Sequence, residues 1–196
     1  MTEHTANFYN KFSICYPLVD ILLKPQKKIL FKEVCLLPKG NLLEIGVGNG
    51  QHLKYYGKHQ ITGIDTSIAM LNAAKKYDTG NADLLEMDGK QLLFSDEAFD
   101  YAVLSHVIAV VDDPNRVLSE VYRVLKPGGK LFILNHFTPN NCLKYVDKMF
   151  EPFSKAFHFR SVFKISELTV LKQFTLVKEV GFGWGSYFKL LVVEKP

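Results

Sequence analysis

The sequence predicts one α/β domain: a mostly parallel sheet of seven strands with crossover helices, entered through a helical N-terminal segment. Three observations carry this expectation. From Asn41 onward, short apolar runs alternate with helical patterns, as a parallel sheet with crossover helices requires. A glycine-rich turn, Gly46-Val-Gly48-Asn-Gly50, follows the first of these runs, and Asp65 closes the second. The 196 residues, 47% hydrophobic and 22% charged, suit a single domain with a full apolar core and would be cramped as two.

The elements follow in order. Residues 1–38 mix bulky apolar and aromatic side chains with lysine and read as lid helices, divided into short pieces by Pro17 and Pro25. Lys39-Gly40 is the joint to a core spanning residues 41–196. Asn41 to Gly46 is a first strand, and a helix is expected to begin near Gln51. Gln60 to Asp65 is a second strand. Thr66-Ser67 then supplies hydroxyls at the start of a helix running through Met70, Leu71 and Ala74 to about Tyr77. A third strand should end at Met87-Asp88. Phe99 to Val107 is a fourth, its unbroken apolar character fitting burial on both faces. Asp113-Pro114 opens a helix with Val117, Leu118, Val121, Tyr122 and Leu125 at three- and four-residue spacing, which Lys126-Pro-Gly-Gly129 should stop. Lys130 to Asn135 is the fifth strand. Ile165 to Leu171 looks helical, and Phe174 to Val180 with Tyr187 to Val193 form a terminal antiparallel pair.

Composition narrows the function classes. The net charge of +4 is modest, and only three basic residues are arginines, the side chain that reads bases and phosphates in bidentate fashion; a nucleic-acid partner is not expected. Cys15, Cys35 and Cys142 are an odd number without metal-ligand spacing, which fits a reducing compartment and no metal site. No signal peptide is expected, and the longest strongly apolar run, Tyr101 to Val111, is too short to span a bilayer.

The chemistry concentrates at Glu44-Ile-Gly46-Val-Gly48-Asn-Gly50, followed 19 residues after Gly46 by Asp65. Glycines allow a tight turn and close approach of a ligand to the backbone, while a carboxylate at the next strand's end can accept both hydroxyl protons of a ribose. Together they predict a nucleoside-containing cofactor. The loop spacing is G-x-G-x-G, not the dinucleotide G-x-G-x-x-G, and no Arg or Lys stands in it. Acidic Glu44 would repel a pyrophosphate and favour a cationic ligand. An ammonium and a sulfonium fit better than NAD.

With Asp65-Thr-Ser-Ile-Ala-Met-Leu71, Met87-Asp88, Phe99-Asp100 and Lys126-Pro-Gly-Gly129, the glycine loop resembles the motifs of class I S-adenosylmethionine-dependent methyltransferases, in their order. That resemblance implies a Rossmann-like fold and S-adenosyl-L-methionine as cofactor. It implies that the loop of Glu44, Gly46, Gly48 and Gly50 passes beneath the methionine part and that Asp65 holds the ribose. Met70 and Met87 would border the adenine and Asp88 bind its amino group, with Thr66, Gly89 and Ser105 completing the set. A second tier, Phe8-Tyr9 through Tyr16, Ser105-His106 through Pro114, Leu134 through Phe137 and Glu151-Pro-Phe153, resembles the small bacterial phosphatidylethanolamine N-methyltransferases. It departs at Tyr16-Pro17, where relatives commonly carry Tyr-Asp.

A lipid substrate makes physical sense of the N-terminus. Phe8, Phe12, Tyr16, Val19, Leu22 and Leu23 form an apolar stripe with Lys24, Lys27, Lys28 and Lys32 close behind, suited to the anionic inner face of a cell membrane. The same stripe serves equally as a lid packed on the sheet. For catalysis the pocket candidates are Tyr9, Tyr16, His106 and His136: His106, or a tyrosine aided by it, accepts a proton from the substrate ammonium, while Asn135 and His136 orient the headgroup; each has an alternative as an ordinary hydrogen-bonded residue. His4, His52 and His59 are read as solvent or loop residues. Rival functions are a soluble methyltransferase for a quinone precursor or another metabolite, and a protein that binds the cofactor without turnover. Oligomeric state is not legible.

Overall fold

A computed structural model describes residues 16–78, 80–138, 162–183 and 187–196, with side chains from residue 25 onward. The long N-terminal helix α1 (Tyr16–Cys35) leads into β1 (Asn41–Ile45). Then come β2 (Gln60–Asp65), α2 (Ile68–Ala74), β3 (Ala82–Glu86), β4 (Phe99–Ser105), α3 (Pro114–Val124), β5 (Leu125–His136), β6 (Thr175–Phe182) and β7 (Phe188–Glu194). They form one seven-stranded sheet in the order β3-β2-β1-β4-β5-β7-β6. Strands β1 to β5 run parallel, whereas β7 is antiparallel to both β5 and β6. Strand order reverses at β1, which lies between β2 and β4, so a crevice opens at the carboxyl ends there.

Two apolar layers hold the sheet. On one face α3 buries Val117, Leu118, Val121 and Val124 against Leu43, Ala102, Leu104 and Ile133. On the other, α1 buries Leu30, Phe31 and Val34 against Leu42, Leu53, Tyr56, Tyr101 and Phe132. Each fully buried side chain of this size contributes about 1.5–3 kcal/mol. The caps match the sequence: Ser67 Oγ accepts from Met70 N at 3.3 Å, and Asp113 Oδ1 from Arg116 N at 3.0 Å, with Pro114 in the first turn where its missing N–H is harmless.

Several expectations need correction. Helix α1 is one continuous helix with Pro25 inside it, not short pieces; Pro17 falls in its first turn, where proline is tolerated. The apolar stripe Phe8 to Leu23 lies outside the described side chains. No α-helix begins at Gln51: the chain makes a single 3₁₀ turn, Leu53–Tyr56, and leaves it at Gly57 with φ +65°. Ile165 to Leu171 likewise resolves into two 3₁₀ turns, Ile165–Glu167 and Thr169–Gln173. Lys126-Pro-Gly-Gly129 does not stop α3, which ends at Val124, but forms the irregular opening of β5, where pairing with β4 shifts between Phe99 and Tyr101. Strand β4 ends at Ser105, because His106 turns into the left-handed region at φ +59°. No helix among the described residues is long and apolar enough to cross a membrane.

The loop between β3 and β4 is pinned to α3 by an ionic cluster. Glu120 Oε2 accepts from Leu92 N and from Arg123 Nη2, both at 2.9 Å, while Arg123 also donates to the Leu92 and Phe94 carbonyls. The hydrogen bond from Arg123 holds the Glu120 carboxyl below the usual range, outweighing burial and helped by the Leu92 N–H. Stability from a depressed carboxyl is present above the unfolded value of about 4.3 and is lost as pH falls through the folded value. Glu120→Gln is therefore expected to lower stability by about 2 kcal/mol at neutral pH. The gap from the parent, followed by urea denaturation across pH, should close as the medium is acidified.

Candidate active site

The glycine loop is built by the sheet. Gly46 N and Val47 N both donate to Ile64 O, at 2.8 and 3.0 Å, which folds the chain sharply over the end of β2. Gly46, Gly48 and Gly50 sit at φ +74°, +57° and +67°, conformations costly for any side chain. Two of them are also crowded: a Cβ on Gly46 would lie 2.3 Å from Val107, and one on Gly50 2.6 Å from Ala74. Gly48 differs, since a Cβ there would meet nothing within 4 Å. Its open face is bare backbone turned to free space.

Asp65 closes the cradle. Its Oδ2 accepts from Gly48 N and its Oδ1 from Ser67 N, each at 2.9 Å, so one carboxylate ties the loop to the start of α2. Burial raises its carboxyl above the ordinary value, and the N–H groups of Ser67, Gly48 and Thr66 work against that rise. A carboxylate's two oxygens offer about four lone-pair sites, so capacity for a ligand hydroxyl remains beside these backbone donors. Thr66 lies at the same strand end, and Met70 is buried on α2 one turn beyond.

The rest of the predicted set lies along the same carboxyl edge. Met87 N donates to Asp65 O at 3.1 Å, and Asp88 Oδ1 accepts from Lys90 N at 3.0 Å. Gly89 packs against β1, where a Cβ would come within 2.8 Å of Ile45. Ser105 ends β4 with its hydroxyl buried and without a hydrogen-bond partner among the described residues. His106 follows, its N–H donating to Leu134 O at 2.7 Å and its ring 5.9 Å from Phe188. His136 ends β5 and stacks on Tyr187 at 5.6 Å. Asn135 is buried, and its amide donates to His136 O at 2.9 Å. Tyr9 lies outside the described residues, and of Tyr16 only the backbone, at the start of α1, is described.

His52 and His59 lie in the β1–β2 connection, as expected of loop residues, but neither is a free solvent side chain. His59 is buried, with Nε2 3.0 Å from Val34 O. His52 matters more: its Nε2 stands 2.8 Å from both oxygens of buried Glu44. The acidic residue of the loop is thus engaged within the chain. His52 also stacks on Phe31 of α1 at 5.5 Å, and Tyr56 meets both rings edge-on. The available signal was the spacing: His52 follows Glu44 by eight residues across a tight glycine turn that must bring the chain back on itself.

A bare-backbone cradle beside a two-pronged carboxylate, lacking cationic groups in the loop, fits an adenosyl sulfonium. Residues 43–133 match the family model described as "Methyltransferase domain". The chain is 35% identical over 163 residues to the phosphatidylethanolamine N-methyltransferase of Cereibacter sphaeroides, spanning 80% of each protein. This chain belongs to the class I S-adenosylmethionine-dependent methyltransferases. A shorter match, 36% over 111 residues, links it to a ubiquinone/menaquinone biosynthesis C-methyltransferase of Desulfotalea psychrophila, covering 54% of this chain and 45% of that protein. Among solved structures, a SAM-dependent methyltransferase of Thermotoga maritima overlays 98% of this chain and all of its own at TM-score 0.74 and 25% identity. Among the described residues no group of three or more His, Cys, Asp or Glu could hold a metal ion.

For this methyltransferase, Asp65→Ala is expected to weaken S-adenosylmethionine binding in calorimetry at least tenfold. Gly48→Val should do the same for a different reason, adding both a strained backbone and a side chain on the loop's open face. Cofactor affinity unchanged in both would locate the site elsewhere.

Proposed function

We propose that the chain methylates the amine of phosphatidylethanolamine and of its mono- and dimethylated products, towards phosphatidylcholine, as a peripheral protein on the inner face of the cell membrane. The observation that carries this reading is the reach of the Cereibacter sphaeroides match, which extends over 80% of both proteins and so well beyond the cofactor half. S-adenosylmethionine supplies a methyl group on a sulfonium, open to attack by an amine lone pair. An alkyl ammonium with a pKa of about 10 must first lose a proton, at roughly 4 kcal/mol at neutral pH.

We assign that proton to His106, directly or through Tyr9 or Tyr16, at the carboxyl end of β4. The left-handed backbone of His106 supports the assignment: such strain costs about 1–3 kcal/mol in a non-glycine residue and clusters at functional sites. His106, Phe188, Tyr187 and His136 form a continuous row of rings, with Tyr187 and Phe188 5.2 Å apart. Aromatic faces attract the quaternary ammonium that the last transfer would create. In this reading Asp65 takes the ribose, Met70 and Met87 flank the adenine, Asp88 takes its amino group, and Asn135 with His136 orients the headgroup. In the same reading Lys24, Lys27, Lys28 and Lys32 of α1 face anionic lipid.

Purified protein incubated with labelled cofactor and phosphatidylethanolamine vesicles should place label in the lipid fraction. No label there while cofactor binds would remove this substrate. His106→Ala is expected to cut kcat at least a hundredfold and abolish the low-pH limb of the rate profile; a profile like the parent's would eliminate it as base. The Desulfotalea psychrophila match supports a second reading, a soluble methyltransferase for a quinone precursor. That enzyme would not pellet with anionic vesicles even at low salt.

A further inference from the structure

A concavity lies beside the glycine loop, whose Asn49 forms part of its wall. Between the C-terminal half of α1, the chain from Asn49 to Tyr55 and the 3₁₀ turn Lys75–Tyr77 that follows α2 there is a cleft of about 540 Å³, within the range of roughly 300–1,000 Å³ of organic-ligand sites. Its cations come from two elements distant in sequence, Lys27 and Lys28 on α1 and Lys54 on the 3₁₀ turn. No carboxylate lines it among the described residues. Lys28 and Lys54 have no acidic partner there either, in contrast to Lys126 and Lys178, which pair with Asp100 and Glu33. Asn49 and Gln51 add polar groups, and His52 reaches it from the Glu44 pair.

Such a lining selects a compact anion with several acceptor oxygens. The walls say what carries it. Tyr55 and Tyr77 remain 51% and 40% exposed at the rim, too open for core residues. Lys54 Nζ lies 5.2 Å from the Tyr55 ring centroid. Exposed tyrosines beside lysines are the pairing that settles at headgroup depth in a bilayer, whereas a free ion gains nothing from aromatic walls. Helix α1 also carries Lys24 and Lys32, on either side in sequence of Lys27 and Lys28.

We propose that this cleft is a subsite for the headgroup phosphate of an anionic phospholipid, held by Lys28 and Lys54 with Tyr55 and Tyr77 in the interfacial layer. The proposal rests on the membrane-surface reading above for the source of the phosphate. It extends that surface from the N-terminal segment onto the core and gives it a defined pocket.

The test is sedimentation of the full chain with vesicles of phosphatidylethanolamine and phosphatidylglycerol, against vesicles of phosphatidylcholine alone. K28E and K54E are each expected to weaken binding to the anionic vesicles at least tenfold. K172E, an identical charge change on the 3₁₀ turn over the opposite sheet face, should change it less than twofold. Unaltered melting temperature and cofactor heat in all three variants keep the comparison valid, and Tyr55→Ala with Tyr77→Ala, which leave charge alone, offer a second route to the same loss. Equal effects of K54E and K172E, or parent-like binding by K28E and K54E, would overturn the subsite. So would calorimetric binding of inorganic phosphate with no preference for anionic vesicles. Methylation of phosphatidylethanolamine is read separately: label in lipid with no K54E effect defeats the cleft alone, and a K54E effect without label defeats the substrate alone.

Discussion

The site depends on one carboxylate whose two oxygens hold two different segments. Asp65 binds the Gly48 N–H with one and the Ser67 N–H with the other, so the glycine loop, the end of β2 and the start of α2 become a single rigid corner. Burial works against the charge of this group, which means that its backbone donors, and a ligand's hydroxyls when present, are what make an ionised carboxylate tolerable there. The same donors fix its direction. The loop is bound to β2 a second time, through Gly46 and Val47 on the Ile64 carbonyl, so its irregular backbone is determined by a regular strand.

The sheet explains why every candidate residue shares an edge. Because β1 to β5 run parallel, the chain leaves all of them at the same side, and the reversal of order at β1 separates the connections above β1 and β4. Only glycine fits at position 46, because Val107, just beyond β4, comes so close that a methyl group there would collide with it. Strand β4 ends early for a related reason: His106 turns left-handed, which lifts its ring off the strand path and towards Phe188 on β7. The antiparallel β7 therefore does more than join β5 to the edge strand β6. It brings aromatic rings to the open side of β5.

The sequence carried most of this through local chemistry. Strands announced themselves by apolar runs, α2 and α3 by Ser67 and Asp113 at their caps, and the cofactor loop by glycines with Asp65 at a fixed distance. What it concealed were outcomes of tertiary packing. Gln51 to Tyr56 has helical residues, but the demand that Leu53 and Tyr56 reach the core immediately after Gly50 leaves room for one 3₁₀ turn. Pro25 looked like a break in α1; Leu30, Phe31 and Val34 bury enough surface to hold the C-terminal half of that helix on the sheet. His59 could not be told from an exposed histidine without knowing that α1 folds back over it, and His52 carried only the hint of its spacing from Glu44.

That last omission is the informative one. Glu44 lies almost entirely out of solvent among apolar side chains, where a carboxylate without a partner would cost several kcal/mol. Its partner comes from the turn after the loop, and that partner's ring is stacked on Phe31, while the Cys35 thiol donates to Tyr55 O at 2.7 Å at the helix end. Burial, with the charge of Glu44, raises the Tyr56 hydroxyl well above its ordinary value, so it stays neutral beside them. The cluster makes the docking of α1 and the satisfaction of the loop's acidic residue one event. A displacement of α1 that freed Phe31 would loosen His52 and leave Glu44 buried without its hydrogen bond; conversely, a ligand that firms the loop favours the docked helix by the same free energy. Helix α1, which carries Lys27 and Lys28, is thus fastened through the Phe31–His52 stack and the His52–Glu44 contact to the glycine turn.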